Sequence, residues 1–376
     1  MKTSGVSYYK HWMSTFRHHH RQQKSEDAGE LRILRYQQSL SDIVSPESCG
    51  GALLLTSHTT SGNDFFVSAC VHLHGHDELY LTSAPLPSSS ASKPPQVLIS
   101  RVALLRADAT VDDPTPPVVA AVWQKMRAPP SMPDPAGACA YEDGVVYCAR
   151  NGGHGGDKGG LVYMPRSKMP PQVVSRYGGR PFSSPQRVAK SPADGSLWFT
   201  TDAGADTHAA ATNGFVNGAF TNGNTSRSRT PPSLVYRHDN RDGSTRVMAD
   251  GFARPGAIAF SRDGTTAYIS DAKEGEQDYS PSAPTIYAFD VIVRHGQPFL
   301  GNRRVFAVPF DGAAADIQCD GEGNVFAACG DGVEIWSPGG VPLGLIEIYG
   351  GCSCLCFGTK GELFIGAGQR LWRVQF

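Results

Sequence analysis

The chain is short of charge and has no long apolar run. Of its 376 residues only 18% are Asp, Glu, Lys or Arg, and 34 basic residues against 35 acidic ones leave a net charge of −1. A surface that tracks a phosphate backbone needs a basic excess, so nucleic acid is not expected as a partner. No window approaches the roughly 20 apolar residues that cross a bilayer, so no membrane partner is expected. The first thirty residues hold His18, His19, His20, Arg21, Lys24, Glu26 and Asp27 and no apolar core of a secretory signal. The expectation is therefore a cytoplasmic protein with reduced thiols, and His18 to His20 read as a solvated tail. Nine Cys is an odd number without the layout of a small disulfide framework. Long helices are missing too: no convincing amphipathic stretch of about 12 residues appears beyond a weak candidate in the first 40.

What is abundant is turn chemistry. The 42 Gly and 27 Pro make up about 18% of the chain, where roughly 12% is usual. A short phrase recurs between these turns: an acid or Gly, a run of β-formers, then small or polar residues. Its copies begin at Asp77, Asp143, Asp194, Asp263, Gly323 and Lys360. A second aliphatic or aromatic phrase follows most copies, at Gly160–Met164, Ser233–Arg237, Thr285–Asp290, Val333–Ser337 and Arg370–Val374. Six copies at spacings of about 40 to 70 residues predict an all-β, six-bladed β-propeller with four antiparallel strands per blade. A β-sandwich is the alternative, but sandwiches do not repeat in this way.

Three stretches interrupt the repeat. Residues 1–28 read as a flexible polar arm, which leaves 29–376 as one propeller. Pro85 to Pro95, rich in Ser and Pro, reads as an exposed loop. The third, about 203–233, falls between strands of one blade and reads either as a lid over the axial opening or as plain disorder.

The segments Gly178–Val188, Asp194–Thr200, Asp250–Ile258, Asn302–Phe306, Cys329–Gly340 and Leu371–Phe376 resemble the regucalcin/gluconolactonase family, closest to its fungal lactonohydrolase branch. The likeness runs in order over about residues 65–376. It implies a propeller whose axial pocket holds a divalent cation, usually calcium or zinc, that polarises a lactone carbonyl and activates water. The family holds that cation with a Glu, two Asn and an Asp. At the matching positions this chain has Ser68, Gln186, Gly256 and Ala315. A hard cation needs oxygen ligands, carboxylates foremost. These four offer no charge and at most two weak oxygens, Arg187 adds a fixed positive charge beside them, and Asp316 stands one residue out of register. The expectation is a propeller without a metal site and without a cofactor.

The candidate catalytic residues are then Arg187, Gln186, Asn151 and Asp316. The candidate substrate-binding residues are Ser68, His154, His208, Gly256, Ala315 and Cys354. Arg187 is expected to point into the axial pocket, with Asp202, Asp271 or Asp316 as its partner. The alternative for Arg187 is a plug that fills the emptied metal volume and ties blades together. Cys352, Cys354 and Cys356 share one face of a strand and read as small apolar core, with Cys354 near the axis. His72, His74 and His76 read as a solvated edge. The Gly-rich loop around His154 lacks the ending of a phosphate loop. Small and apolar residues around the axis suit a hydrophobic small molecule. The reading is a metal-independent enzyme that guides cyclisation or cycloaddition in natural-product biosynthesis. The alternatives are a metal-dependent lactone hydrolase and a non-catalytic binding propeller, and the sequence leaves the oligomeric state open.

Overall fold

The computed structural model describes residues 31–43, 51–58, 61–87, 95–108, 116–132, 134–150, 159–166, 172–182, 184–202, 233–272, 283–359 and 361–376. Two strands, β1 (Leu31–Arg35) and β2 (Gly51–Thr56), precede the first blade, with one helical turn, α1 (Leu40–Ile43), between them. Blade 1 is β3 (Cys70–Leu73), β4 (Glu78–Thr82), β5 (Leu98–Arg106) and β6 (Val118–Arg127). Blade 2 is β7 (Asp134–Tyr141), β8 (Gly144–Arg150), β9 (Gly160–Pro165) and β10 (Gln172–Val174). A small hairpin, β11 (Arg176–Tyr177) and β12 (Arg180–Pro181), leads to blade 3, which is β13 (Pro185–Lys190), β14 (Leu197–Thr201), β15 (Leu234–His238) and β16 (Thr245–Ala249). Blade 4 is β17 (Pro255–Phe260), β18 (Thr266–Asp271), β19 (Thr285–Arg294) and β20 (Gln297–Ala307). Blade 5 is β21 (Asp316–Cys319), β22 (Val325–Ala328), β23 (Gly332–Trp336) and β24 (Pro342–Ile348). Blade 6 holds β25 (Cys354–Phe357), β26 (Glu362–Ala367) and β27 (Arg370–Gln375).

The recurring phrases are the second and third strands of these blades, so the six-bladed, all-β expectation holds. Each second strand is buried at nearly every position, because both of its faces pack on neighbouring blades. The N-terminal segment closes the ring: β2 pairs antiparallel with β27 and supplies the fourth strand of blade 6. Strand β1 pairs with β24 as a fifth strand of blade 5, and Leu40 of α1 is fully buried in the core beneath it. The innermost strands β3, β7, β13, β17, β21 and β25 contact one another in sequence and surround the axis.

At the start of β7, β13 and β17 the register with the next strand shifts, at Pro135/Ala138, Pro185/Val188 and Pro255/Ile258. A bulge of this kind frees a backbone N–H. The freed groups are taken up by hydroxyls one strand out: Arg187 N donates to Thr200 Oγ1 at 3.3 Å and Ala257 N to Ser270 Oγ at 2.7 Å. In blade 1, Ala69 N donates to Thr82 Oγ1 at 3.0 Å in the same way. The strand pairings set Ala69, Gly137, Arg187, Ala257, Asp316 and Cys354 at one equivalent level around the axis.

Candidate functional site

Of those six positions, Arg187 and Asp316 alone carry charge. Arg187 does not point along the axis; it crosses it. Its Nε donates to the Ala315 carbonyl of blade 5 at 2.9 Å and its Nη2 to the Ser353 carbonyl at the start of blade 6 at 3.0 Å. Nη1 makes no hydrogen bond among the described residues. The crossing depends on Gly137 of blade 2. A Cβ there would lie 2.4 Å from Arg187 Cδ and 2.6 Å from the Gln186 carbonyl oxygen.

The expected partners of Arg187 are corrected by these contacts. Asp202 pairs with Arg254 at 3.2 Å, and Asp271 accepts the backbone N–H groups of Ala253 and Arg254. The buried Asp316 carboxylate accepts Ile317 N at 3.1 Å and Leu355 N at 3.2 Å. Its burial raises the Asp316 pKa, and the nearby Arg187 charge and the two N–H groups only partly offset that rise.

An axial cavity of about 1390 Å³ extends from this level to the far ends of the innermost strands. Arg187, Asp316 and Ser68 line it near the strand starts, while Lys190 lines it at the end of its strand and Arg262 and Glu322 beyond the ends of theirs. The other candidates are placed differently. Gln186 turns away and donates to Ser184 O at 3.1 Å and Ser184 Oγ at 2.6 Å. Gly256 lies against Ser270, whose Oγ would be 2.9 Å from an added Cβ, and its carbonyl accepts Thr200 Oγ1 at 2.7 Å. Ala315 takes part through its carbonyl, as the acceptor of Arg187 Nε. Cys354 is fully buried and interacts with Cys70 at the seam of blades 6 and 1 rather than lining the cavity. Asn151, His154, His208 and the 203–232 segment lie outside the described residues.

The three clustered thiols do not act as one face. Cys356 Sγ lies 3.2 Å from Cys70 Sγ, whereas Cys352 precedes the strand and donates to Gly332 O at 3.1 Å. The His-x-His-x-His stretch is also corrected. His74 and His76 are exposed, but His72 is only 4% exposed, lines the cavity, and lies 2.9 Å through Nε2 from Asp77 Oδ1. Sequence reasoning missed this pair. The five-residue spacing across a turn was its one available signal.

The donor set does not fit the cation of the family. Ser68, Gln186, Gly256 and Ala315 bring no carboxylate, Gln186 is engaged elsewhere, and a guanidinium lies across the axis beside them. Among the described residues no cluster of three His, Cys, Asp or Glu is placed to hold a metal ion. Nor, among them, is any helix long and apolar enough to cross a membrane.

The propeller is of the gluconolactonase type. The family model described as "SMP-30/Gluconolactonase/LRE-like region" matches residues 188–369. A gluconolactonase of Zymomonas mobilis is 29% identical over 245 residues, covering 62% of this chain and 60% of the relative. The lactonohydrolase oryH of Aspergillus oryzae is 28% identical over 148 residues, covering 35% of this chain and 31% of the relative. The chain thus matches less than two thirds of the length of either curated relative. Among solved structures, a gluconolactonase from Xanthomonas campestris superposes with a TM-score of 0.60 at 21% identity, covering 93% of this chain and 98% of that one. A calcium-binding regucalcin from Agrobacterium tumefaciens gives 0.55 at 13% identity, covering 87% and 93%. In sequence the chain is similar to the gluconolactonase-like, SMP-30/regucalcin-like family over its second half and to the two curated relatives, and in fold to the solved gluconolactonase propeller.

Proposed function

We propose that the protein is a metal-independent enzyme that orients a hydrophobic carbonyl compound in the axial cavity and guides its cyclisation, in the service of natural-product biosynthesis. The observation that carries this reading is Arg187. Its guanidinium stands across the axis beside the family's cation positions, is fixed by two carbonyls and keeps Nη1 uncommitted. A fixed cation at a low-dielectric site stabilises a carbonyl oxygen as it gains negative charge. The cavity holds the reacting groups together. Arg187 then takes over the electrostatic part of the metal's task and leaves the generation of hydroxide without an agent at that position. That division of labour favours rearrangement of the bound molecule over hydrolysis.

A second reading, lactone hydrolysis, is favoured by the gluconolactonase and lactonohydrolase relatives. Two measurements separate them. Dihydrocoumarin and glucono-δ-lactone are offered with EDTA, then with calcium or zinc. Turnover that appears only with metal establishes the hydrolase and removes the cyclisation reading. Metabolites of a deletion strain are profiled in parallel, and accumulation of an uncyclised carbonyl precursor is the expected result. Binding of the anionic, apolar probe 1-anilinonaphthalene-8-sulfonate is expected to weaken about tenfold in R187Q, one lost charge contact. Unchanged binding removes Arg187 from the site.

A further inference from the structure

We propose that the molecule bound in the axial cavity carries a carboxylate at the end remote from its carbonyl, and that Lys190 and Arg262 bind this group at the mouth through which the molecule enters. The proposal rests on the reading of that cavity as an active site and names the second functional group of its substrate. The two ends of the cavity are unlike. At the inner end the Arg187 side chain crosses the axis to the Ala315 and Ser353 carbonyls. Gln186, Gly256 and Ala315, which precede that level in the chain, no longer line the wall. Ser68 and Arg187 are half-buried there and Asp316 is buried. At the other end Lys190, Arg262, Gly321 and Glu322 line the cavity and are all exposed. Among the described residues the cavity therefore meets solvent at the far ends of the innermost strands, opposite the positions where the family holds its cation.

That mouth has an apolar side and a charged side. Ile43 of α1, Phe357 of β25 and Phe376 line it where blades 5 and 6 pack together. Lys190, the last residue of β13, and Arg262, in the turn from β17 to β18, line it from blades 3 and 4. Arg262 reaches toward the next blade, since its Nη1 would lie 3.0 Å from a Cβ on Gly321. Neither cation makes a hydrogen bond or ion pair among the described residues; Lys190 Nζ has only the face of Tyr141, 5.8 Å from the ring centre. Of the acids on the same rim, Asp320 is held within its own turn, where it accepts Glu322 N at 3.0 Å, Asn324 N at 2.7 Å and Asn324 Nδ2 at 2.7 Å. Glu322 is exposed and uncommitted among the described residues. Two free cations against one free carboxylate leave a single positive charge, which matches a monoanionic carboxylate rather than a dianionic phosphate. Desolvation fixes which end of the substrate leads. A carboxylate carried to the inner end loses its water, whereas one left at the exposed rim keeps it and the apolar chain fills the channel. From Arg187 to Lys190, β13 advances three residues, about 10 Å, so the carbonyl and the carboxylate are separated by at least a medium-length chain.

The test uses the whole protein in buffer containing EDTA and two probes of equal length, 11-oxododecanoate and its methyl ester, with binding followed by titration calorimetry. Both carry a ketone at one end, and only the first has a charge at the other. The wild type is expected to bind the acid about tenfold more tightly than the ester, as for two partly exposed charge contacts. K190Q and R262Q should each lose about threefold on the acid, and K190Q/R262Q should lose the whole preference, with the ester unchanged in all three. E322Q, which removes the opposing charge, should tighten the acid about twofold. R187Q should weaken acid and ester alike, because the ketone end is common to both. If the wild type binds acid and ester equally, or K190Q/R262Q keeps the preference, the rim does not bind the carboxylate and the proposal is overturned while the cavity reading stands. If R187Q alone abolishes the preference, the carboxylate lies at the inner end and the proposal is likewise overturned. If neither probe binds, the cavity reading fails and takes the proposal with it.

Discussion

Two arginines of blade 3 show how differently one side chain is used in this propeller. Arg237 is 1% exposed and sits among carboxylates: Nη2 donates to Asp194 and Asp239, each at 2.8 Å, and Nε donates to Ser196 Oγ at 3.1 Å. Its charge is cancelled where it stands. Arg187 has two neutral carbonyls and a cavity. Carbonyls fix its direction without neutralising it, so its field is directed at whatever enters the channel. Arg237 is therefore read as an anchor and Arg187 as a group held ready.

The largest effect is expected at the anchor. R237A leaves the buried Asp239 without its inward partner and should destabilise the fold by about 3–5 kcal/mol in urea denaturation. Arg187 has no carboxylate to strand, so R187Q should cost far less stability. Its loss should fall on turnover instead, about 100- to 1000-fold, as for the removal of one charge-stabilising donor. Turnover of the precursor that accumulates in the deletion strain, measured together with melting temperature, checks both variants. If R187A and R187Q keep their rate and melt lower, the residue is a plug between blades and the contrast with Arg237 disappears.

The next effect comes from the position that lets Arg187 cross. G137A would place a methyl carbon 2.4 Å from Arg187 Cδ, and backbone lies almost as close on the same side. The arginine must leave the two carbonyls or the strands must part. A cost of about 1–3 kcal/mol is expected, typical of overpacking. The double variant G137A/R187A should recover part of it, because alanine has no Cδ to meet the methyl. A double variant no more stable than G137A would mean that the backbone, not Arg187, pays for the methyl.

How much of this was legible follows from how local each signal is. The second and third strands of the blades announce themselves because a turn residue and its β-run are adjacent in sequence. The closure does not. Gly51–Thr56 is exposed or half-exposed throughout and lacks alternation, and its partner Arg370–Gln375 lies at the other end of the chain. Arg187 was legible as a charge where the family keeps its cation, but its partners were not, since blade geometry carries it past every acid to two carbonyls. His72 was misread because its environment is assembled from the Asp77 turn, Arg106 of β5 and Phe364 of β26. A run of alternating histidines looks solvated until a neighbouring blade covers one of them.

The smallest expected effect concerns an acid that, unlike those around Arg237, has no cation. Glu334 is fully buried in blade 5, with Oε1 accepting Phe310 N at 2.8 Å. Its Oε2 and Asp331 Oδ1 are both buried without a partner. One proton shared between them satisfies both oxygens. Burial, then the Asp331 charge, pushes the Glu334 pKa up to about 8, and burial is also the first cause that raises Asp331, to about 6. The folded state therefore binds a proton that the unfolded chain has released above its ordinary carboxylate pKa of 4.5. The stability from that proton is complete below pH 4.5 and is lost as the pH rises through about 8. A decline on the order of 1–2 kcal/mol between pH 5 and 8.5 is expected in urea midpoints, beyond that of other groups. E334Q keeps a hydrogen-bond donor for Asp331 and holds no titrating proton, so the decline should flatten. If wild type and E334Q fall in parallel, the two carboxyls do not share a proton and Asp331 has found another partner.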